Sequence, residues 1–313
     1  MDKRVWSFLA LAFGFTWGVA GIGILGFGLN AASGTGYAVM AALCMLGPAV
    51  AALVQQHLLD RAPWSGLGLP VRGTRWVFVG LTALLGIAIV PGALLSTHLL
   101  GSFTAVDGFG DVAFTTDRML AMFNDISLQA RGEPMDAAQL AKLEGIPPGL
   151  VLILALLGAV VAAVTVNLPF MLGEELGWRG YLFQRLASWS PLRRVAFTGA
   201  VWGLWHAPLI LAGHNYPGHP LQGVGMMVLF CGVLALLFDW TRVRTGSVWS
   251  SCLLHGIING SAGAFSIYTL GGHPLLGSPA GVAGIVAIAL LGAAVLLVDR
   301  PYRTGGVTTN VQP

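Results

Sequence analysis

Two adjacent carboxylates, Glu174 and Glu175, stand in the run Leu172-Gly-Glu-Glu-Leu-Gly-Trp-Arg, with Arg179 four residues after the second. Further on, His206 sits in Val201-Trp-Gly-Leu-Trp-His, and His255 sits in Ser251-Cys-Leu-Leu-His-Gly-Ile-Ile-Asn, which ends on Asn259. All lie within or beside long apolar runs, where an ionisable group costs several kcal/mol and by default marks function. Neighbouring residues on a helix point about 100° apart, so the two glutamates face different partners. Glu175 and Arg179 have the i, i+4 order that favours a helical ion pair, which leaves Glu174 to face His206. A carboxylate beside a neutral histidine, held away from bulk water, suits activation of a water molecule against a carbonyl. His255 and Asn259, one turn apart on one helix face, suit hydrogen bonding to the oxyanion that would develop. The other histidines lie at span ends (His57, His98) or in short loops (His214, His219, His273).

Membrane helices must position these groups. Of 313 residues, 56% are hydrophobic and 9% charged, and the mean hydropathy is +0.78, a balance outside that of soluble domains. Crossing about 30 Å of hydrocarbon takes roughly 20 apolar residues as a helix. Runs of about that length without charge extend from Val5 to Leu29, Tyr37 to Leu59, Trp76 to Leu99, Gly149 to Leu172, Val195 to Ala212, Leu221 to Phe238, Ser247 to Leu270 and Ala280 to Val298. The expected fold is all-α: a polytopic bundle of about eight transmembrane helices forming one domain over 1–313. The first run follows Lys3 and Arg4 but is longer than a signal-peptide core and lacks a clean cleavage site, so it reads as a retained helix.

Orientation follows from the basic residues, which stay cytoplasmic in short loops. With both termini cytoplasmic, all but three of the 16 Lys and Arg fall on the inner side. The exceptions, Arg118, Arg131 and Lys142, lie in the polar segment 101–148, an expected external loop in which Asp136 to Leu143 has helical spacing. His206 and His255 come roughly 17 and 12 Å into their spans from the inner face, so they share a layer. Glu174 comes about 25 residues after Gly149, roughly 37 Å along a straight helix. The fourth helix is therefore expected either to start deeper in the bilayer or to tilt and extend into the cytoplasm.

The Glu-Glu-x-x-x-Arg, aromatic-x-x-x-His and His-x-x-x-Asn motifs, here Glu174, Glu175 and Arg179, Trp202 and His206, and His255 and Asn259, resemble those of the CPBP family of intramembrane peptidases. These are the CAAX-processing and bacteriocin-processing enzymes related to the Rce1-type endopeptidase. The resemblance covers residues 149–270, the expected peptidase core. It implies an eight-helix fold with a conical cavity open toward the cytoplasm, in the cell membrane, and a glutamate-dependent endopeptidase with no cofactor. Glu174 and His206 would activate water, His255 and Asn259 would bind the oxyanion, and Glu175, Arg179 and Trp202 would support them. The substrate implied is a membrane-associated protein or peptide. Trp202 departs from the phenylalanine common in the family and keeps an aromatic wall.

Two alternatives belong to other classes. Glu174, His206 and His255 have the composition of a His2Glu zinc site with an open position for water, although the His-Glu-x-x-His helix is missing. A bacteriocin immunity factor, scaffold or transporter would use the same polar groups as a bundle lock or proton relay. The net charge of +3 follows from the inner-side bias and gives no reason to expect nucleic acid. Cys44, Cys231 and Cys252 read as apolar packing residues without a disulfide. Gly14 with Gly18, and Gly256 with Gly260, have the spacing of helix packing seams, and the tail after Arg303 reads as disordered. Oligomeric state is open.

Overall fold

The apolar runs fold as helices in the computed structural model, which describes residues 2–69 and 71–306. In chain order come α1 (Lys3–Gly26), α2 (Thr35–Leu59) and α3 (Trp76–Phe103), then α4 (Thr116–Arg131) and α5 (Ala137–Glu144) in the polar segment. α6 (Pro148–Ala163) and α7 (Leu168–Glu175) follow, and α7 runs on through a π-helical stretch, Leu176–Leu182, into Phe183–Arg185. α8 (Pro191–Trp205), α9 (Ala207–Leu211), α10 (Pro220–Thr245), α11 (Val248–Tyr268), α12 (Val282–Val298) and the short α13 (Arg300–Arg303) complete the set.

Among the described residues, α1, α2, α3 and α10 are each long and apolar enough to cross a membrane, and α5 with α6 would make a fifth span were it not bent by 95°. The remaining expected spans depart from this ideal where the polar residues lie. α11 carries His255, Asn259 and four serines, which lower its hydropathy. α8 ends against His206, and Pro208 then opens α9, in the first helical turn, where a missing N–H costs least. α12 is helical over only 17 residues.

The fourth span is a correction. Glu174 is reached neither by a deeper start nor by an overlong helix. α6 stops at Ala163, the chain turns, and Pro169 in the first turn of α7 opens a new helix. Asn167 in that turn donates from Nδ2 to the carbonyl of Gly256 in α11 at 3.1 Å, so the break is tied to the helix that bears His255.

The two ends of the bundle differ in chemistry. At one end, Asp60 after α2 accepts from Tyr181 at 2.7 Å and Arg185 at 2.6 Å and pairs with Arg4 at 3.3 Å. Arg194 at the start of α8 grips Asp239 through Nε at 2.5 Å and Nη2 at 2.7 Å, and Tyr302 donates to the same carboxylate at 2.7 Å. Arg244 pairs with Asp299. Basic residues from the N-terminal segment, the connection between α7 and α8 and the end of α10 therefore share this end. At the other end β1 (Asp111–Val112) pairs antiparallel with β2 (Thr269–Leu270) directly after α11. Arg118 of α4 donates to the carbonyls of Ser266 (3.2 Å) and Thr269 at the α11 C-terminus, where a cation meets the negative helix end. The polar segment thus holds a 16-residue helix, α4, beyond the one helix expected there.

Small residues set the closest helix approaches. Gly256 and Gly260 do face α6, but Gly14 and Gly18 face open space within the chain. The tightest seam is another four-residue pair, Gly199 and Gly203 on α8 against α10: a Cβ on Gly203 would lie 2.5 Å from Val228 Cα, and one on Gly199 would lie 2.6 Å from Gly232 Cα. Both contacts are with backbone and cannot yield by a rotamer change. Gly203→Val is therefore expected to cost about 1–3 kcal/mol through overpacking, visible as a lower unfolding temperature in detergent, whereas Gly14→Val is expected to leave it nearly unchanged. Equal shifts would show that the seam is slack. Cys44, Cys231 and Cys252 are buried free thiols. The part of the tail beyond residue 306 lies outside the described residues.

Candidate active site

From Gly173 to Phe183 every residue is buried, so the α7 helix with its π-helical extension runs through the middle of the protein. A π-helical turn inside an α-helix is uncommon and tends to fall at functional sites. Here it starts directly after Glu175 and carries Arg179.

Glu175 is 0% exposed. Its Oε1 accepts from Arg179 Nη1 at 3.1 Å and from His255 Nδ1 at 2.8 Å. The ion pair expected from spacing is present, and Glu175 also orients His255 across an 80-residue separation, which the sequence reading did not anticipate. The guanidinium of Arg179 lies between two rings, 4.3 Å from the centroid of Trp202 and 4.0 Å from that of Phe238, where cation–π attraction is strengthened by loss of water.

Glu174, 2% exposed, makes no hydrogen bond to His206. Its Oε2 instead accepts from the indole Nε1 of Trp202 at 2.9 Å. One turn on, His206 Nδ1 lies 2.8 Å from the carbonyl oxygen of Trp202. Because a carbonyl only accepts, Nδ1 carries the proton, and Nε2 of the neutral ring is left with its lone pair. Trp202 therefore connects the two groups expected to face each other directly, and its ring also meets that of His255 edge-on at 5.6 Å. The aromatic wall expected at this position is the hub of the site: a phenylalanine would fill similar space but could not hydrogen-bond Glu174.

Asn259 stands apart from these six. It is exposed, and its Nδ2 contacts the sulfur of Met171 at 3.8 Å, one turn before Glu174, without bonding any other residue of the set. Glu174 Oε1, His206 Nε2 and His255 Nε2 have no protein partner and are not among the sealed polar atoms, whereas Glu175 Oε2, Trp178 Nε1, Arg179 Nη2 and Trp205 Nε1 are sealed and unpaired. Three potential acceptors or donors are thus left without a protein partner beside a layer of buried, preorganised charge. Two cavities of about 480 and 600 Å³ lie elsewhere, and neither is lined by Glu174, His206, His255 or Asn259. The conical cavity implied by resemblance is not one of these. Among the described residues no three His, Cys, Asp or Glu side chains are grouped to hold a metal ion, so Glu174, His206 and His255 are not assembled as the three-ligand zinc set.

Residues 148–261 match the family model described as type II CAAX prenyl endopeptidase Rce1-like. This segment is Rce1-like. It contains all seven residues of the expected site, and the family is the one that the three motifs resemble. A curated relative, CAAX prenyl protease 2 of Methanococcus maripaludis, is 48% identical over 44 residues, which make up 14% of this chain and 16% of the relative. The chain thus aligns with about one sixth of that relative's length. The chain is thus a polytopic helical membrane protein that carries an Rce1-like segment over residues 148–261.

Proposed function

We propose that the protein is an intramembrane endopeptidase that hydrolyses a peptide bond in a membrane-anchored protein or peptide, with water activated by Glu174 and His206. The observation that carries this reading is the Trp202 bridge. It holds Oε2 of Glu174 and Nδ1 of His206 and leaves Glu174 Oε1 and His206 Nε2 without a protein partner. A water between them would lose a proton to this pair as its oxygen attacks the scissile carbonyl. The oxyanion formed would be met by His255 Nε2, with the Asn259 amide closing on it when substrate is bound. Collapse of the tetrahedral intermediate then breaks the C–N bond, and the proton taken from water passes to the leaving amine.

Charge balance supports the same division of roles. With Arg179 and a doubly protonated His255, the two carboxylates are neutralised, and His255 has an Nε2–H to offer the oxyanion. The substrate class rests on the Rce1-like match: a lipid-anchored C-terminal segment of CAAX type places its scissile bond just inside the membrane surface. The concentration of arginines at the end where Arg4, Arg194 and Arg244 lie supports an opening toward the cytoplasmic leaflet.

Proteolysis and substrate are tested together by comparing newly formed peptide termini in membranes from cells that express the wild type or Glu174→Gln at matched levels. Termini dependent on Glu174 are expected; a full set of identical termini in both would sink the peptidase reading and favour a bundle lock. Trp202→Phe gives a finer readout. It deletes one hydrogen bond to a charged group, worth about 1.5–3 kcal/mol, and is expected to lower kcat by roughly tenfold or more with KM little changed. An unaltered kcat would mean that Glu174 is oriented by something other than the indole.

A further inference from the structure

Away from the active site, a groove of about 600 Å³ opens on the outer surface of the bundle between α3, α10 and α12. Leu81, Leu84, Leu85 and Ala88 of α3 form one wall, and Leu291 and Ala294 of α12 form the other. Its apolar part ends at a polar cluster in which Asp299 accepts from Trp240 Nε1 at 2.8 Å and Arg244 Nε at 2.5 Å. Tryptophan and arginine mark the headgroup level of a bilayer. From Phe78 at this end to Ala88 the α3 wall rises about 15 Å, which is about half the hydrocarbon thickness. The groove therefore runs from the headgroups to the bilayer midplane, the depth of one leaflet.

Charge at the polar end is not balanced. Arg72 and Arg75 precede α3, and Arg300 and Arg303 lie on α13; all four are exposed and pair with no acid among the described residues. The one acid of the rim, Asp299, is matched by Arg244. Two of the four exposed arginines stand in sequence beside the lining of the trough, Arg75 three residues before Phe78 and Arg300 between Asp299 and Pro301, and the forked donors of a guanidinium fit phosphate oxygens.

We infer that this groove is a binding site for one anionic phospholipid, with an acyl chain along α3 and α12 and the phosphate held by the rim arginines. A zwitterionic lipid brings the same chain but no net charge. An arginine near an anionic headgroup contributes about fivefold in binding, so the site selects by charge. The inference does not depend on peptidase activity.

The test is native mass spectrometry of the delipidated full chain in detergent, titrated with dioleoyl phosphatidylglycerol or dioleoyl phosphatidylcholine. The first phosphatidylglycerol is expected to bind at least about tenfold more tightly than the first phosphatidylcholine. Arg300→Gln with Arg303→Gln, both exposed on α13, should remove most of that preference and leave phosphatidylcholine binding unchanged. Ala294→Trp, which fills the trough, should weaken both lipids while the lipid-free unfolding temperature confirms a folded protein. Equal binding of the two lipids, or a preference that survives the arginine changes, would overturn the site. So would stoichiometric displacement of phosphatidylglycerol by a farnesylated peptide at equal concentration, because the groove would then belong to a substrate's lipid.

Discussion

Glu174→Gln is expected to lower cleavage of a reconstituted membrane-anchored peptide by about 10²–10⁴-fold, the range for loss of a general base, while the unfolding temperature stays close to that of the wild type. The two halves of this prediction have separate causes. Glutamine keeps the shape of the side chain, and its amide oxygen accepts from Trp202 Nε1 as Glu174 Oε2 does at 2.9 Å, so the packing around the indole has no reason to change. The amide has no basic lone pair for the proton of the attacking water, and His206 is then left to accept it alone. A variant that kept more than a tenth of wild-type turnover would move the base from Glu174 to His206. One that lost activity and stability together would make Glu174 a structural residue.

Much of this arrangement is legible in the sequence, and the residues that are not share a physical reason. Runs of about 20 apolar residues leave a chain little choice but to form helices, so the helical bundle is legible from composition, although four to five helices and not eight have the length and hydropathy of a span among the described residues. The Glu175–Arg179 pair follows from helical spacing, because both partners lie on one turn. The Glu175–His255 bond and the Trp202–Glu174 bond join helices distant in sequence, and no periodicity within one helix reports which residue faces which. In the sequence Trp202 reads as a wall, because an aromatic residue in an apolar helix normally contributes its ring; its Nε1–H matters only once a buried acceptor is known to lie beside it.

The helix breaks could have been read. Asn167-Leu-Pro169 and His206-Ala-Pro208 each place a proline where a helix begins, and both interruptions fall beside site residues. α4 likewise carried a signal, since Thr115 caps it by accepting from Arg118 N at 3.3 Å. The carboxylate partners of the arginine-rich end were the least legible. Asp60, Asp239 and Asp299 are scattered through the chain and become a set only when the helix ends converge.

The same reasoning gives Arg179→Met the largest expected loss of stability. Glu175 is fully buried, its Oε2 has no partner, and its charge is answered by the guanidinium at 3.1 Å and by His255. Removing one member of a buried pair costs about 3–5 kcal/mol because the other charge is left uncompensated, and the methionine also gives up stacking on Trp202 and Phe238. An unfolding temperature lower by roughly 10 °C is expected in detergent, with cleavage lost as well. Combining it with Glu175→Gln separates the causes. The double variant no longer buries an unpaired carboxylate and should recover most of the stability. It should remain inactive, because His255 has then lost the carboxylate that orients its ring and supports its second proton. If the double variant were as unstable as Arg179→Met, the arginine would act through its packing between the two rings. If it recovered cleavage as well, the Glu175–His255 bond would have no part in the chemistry.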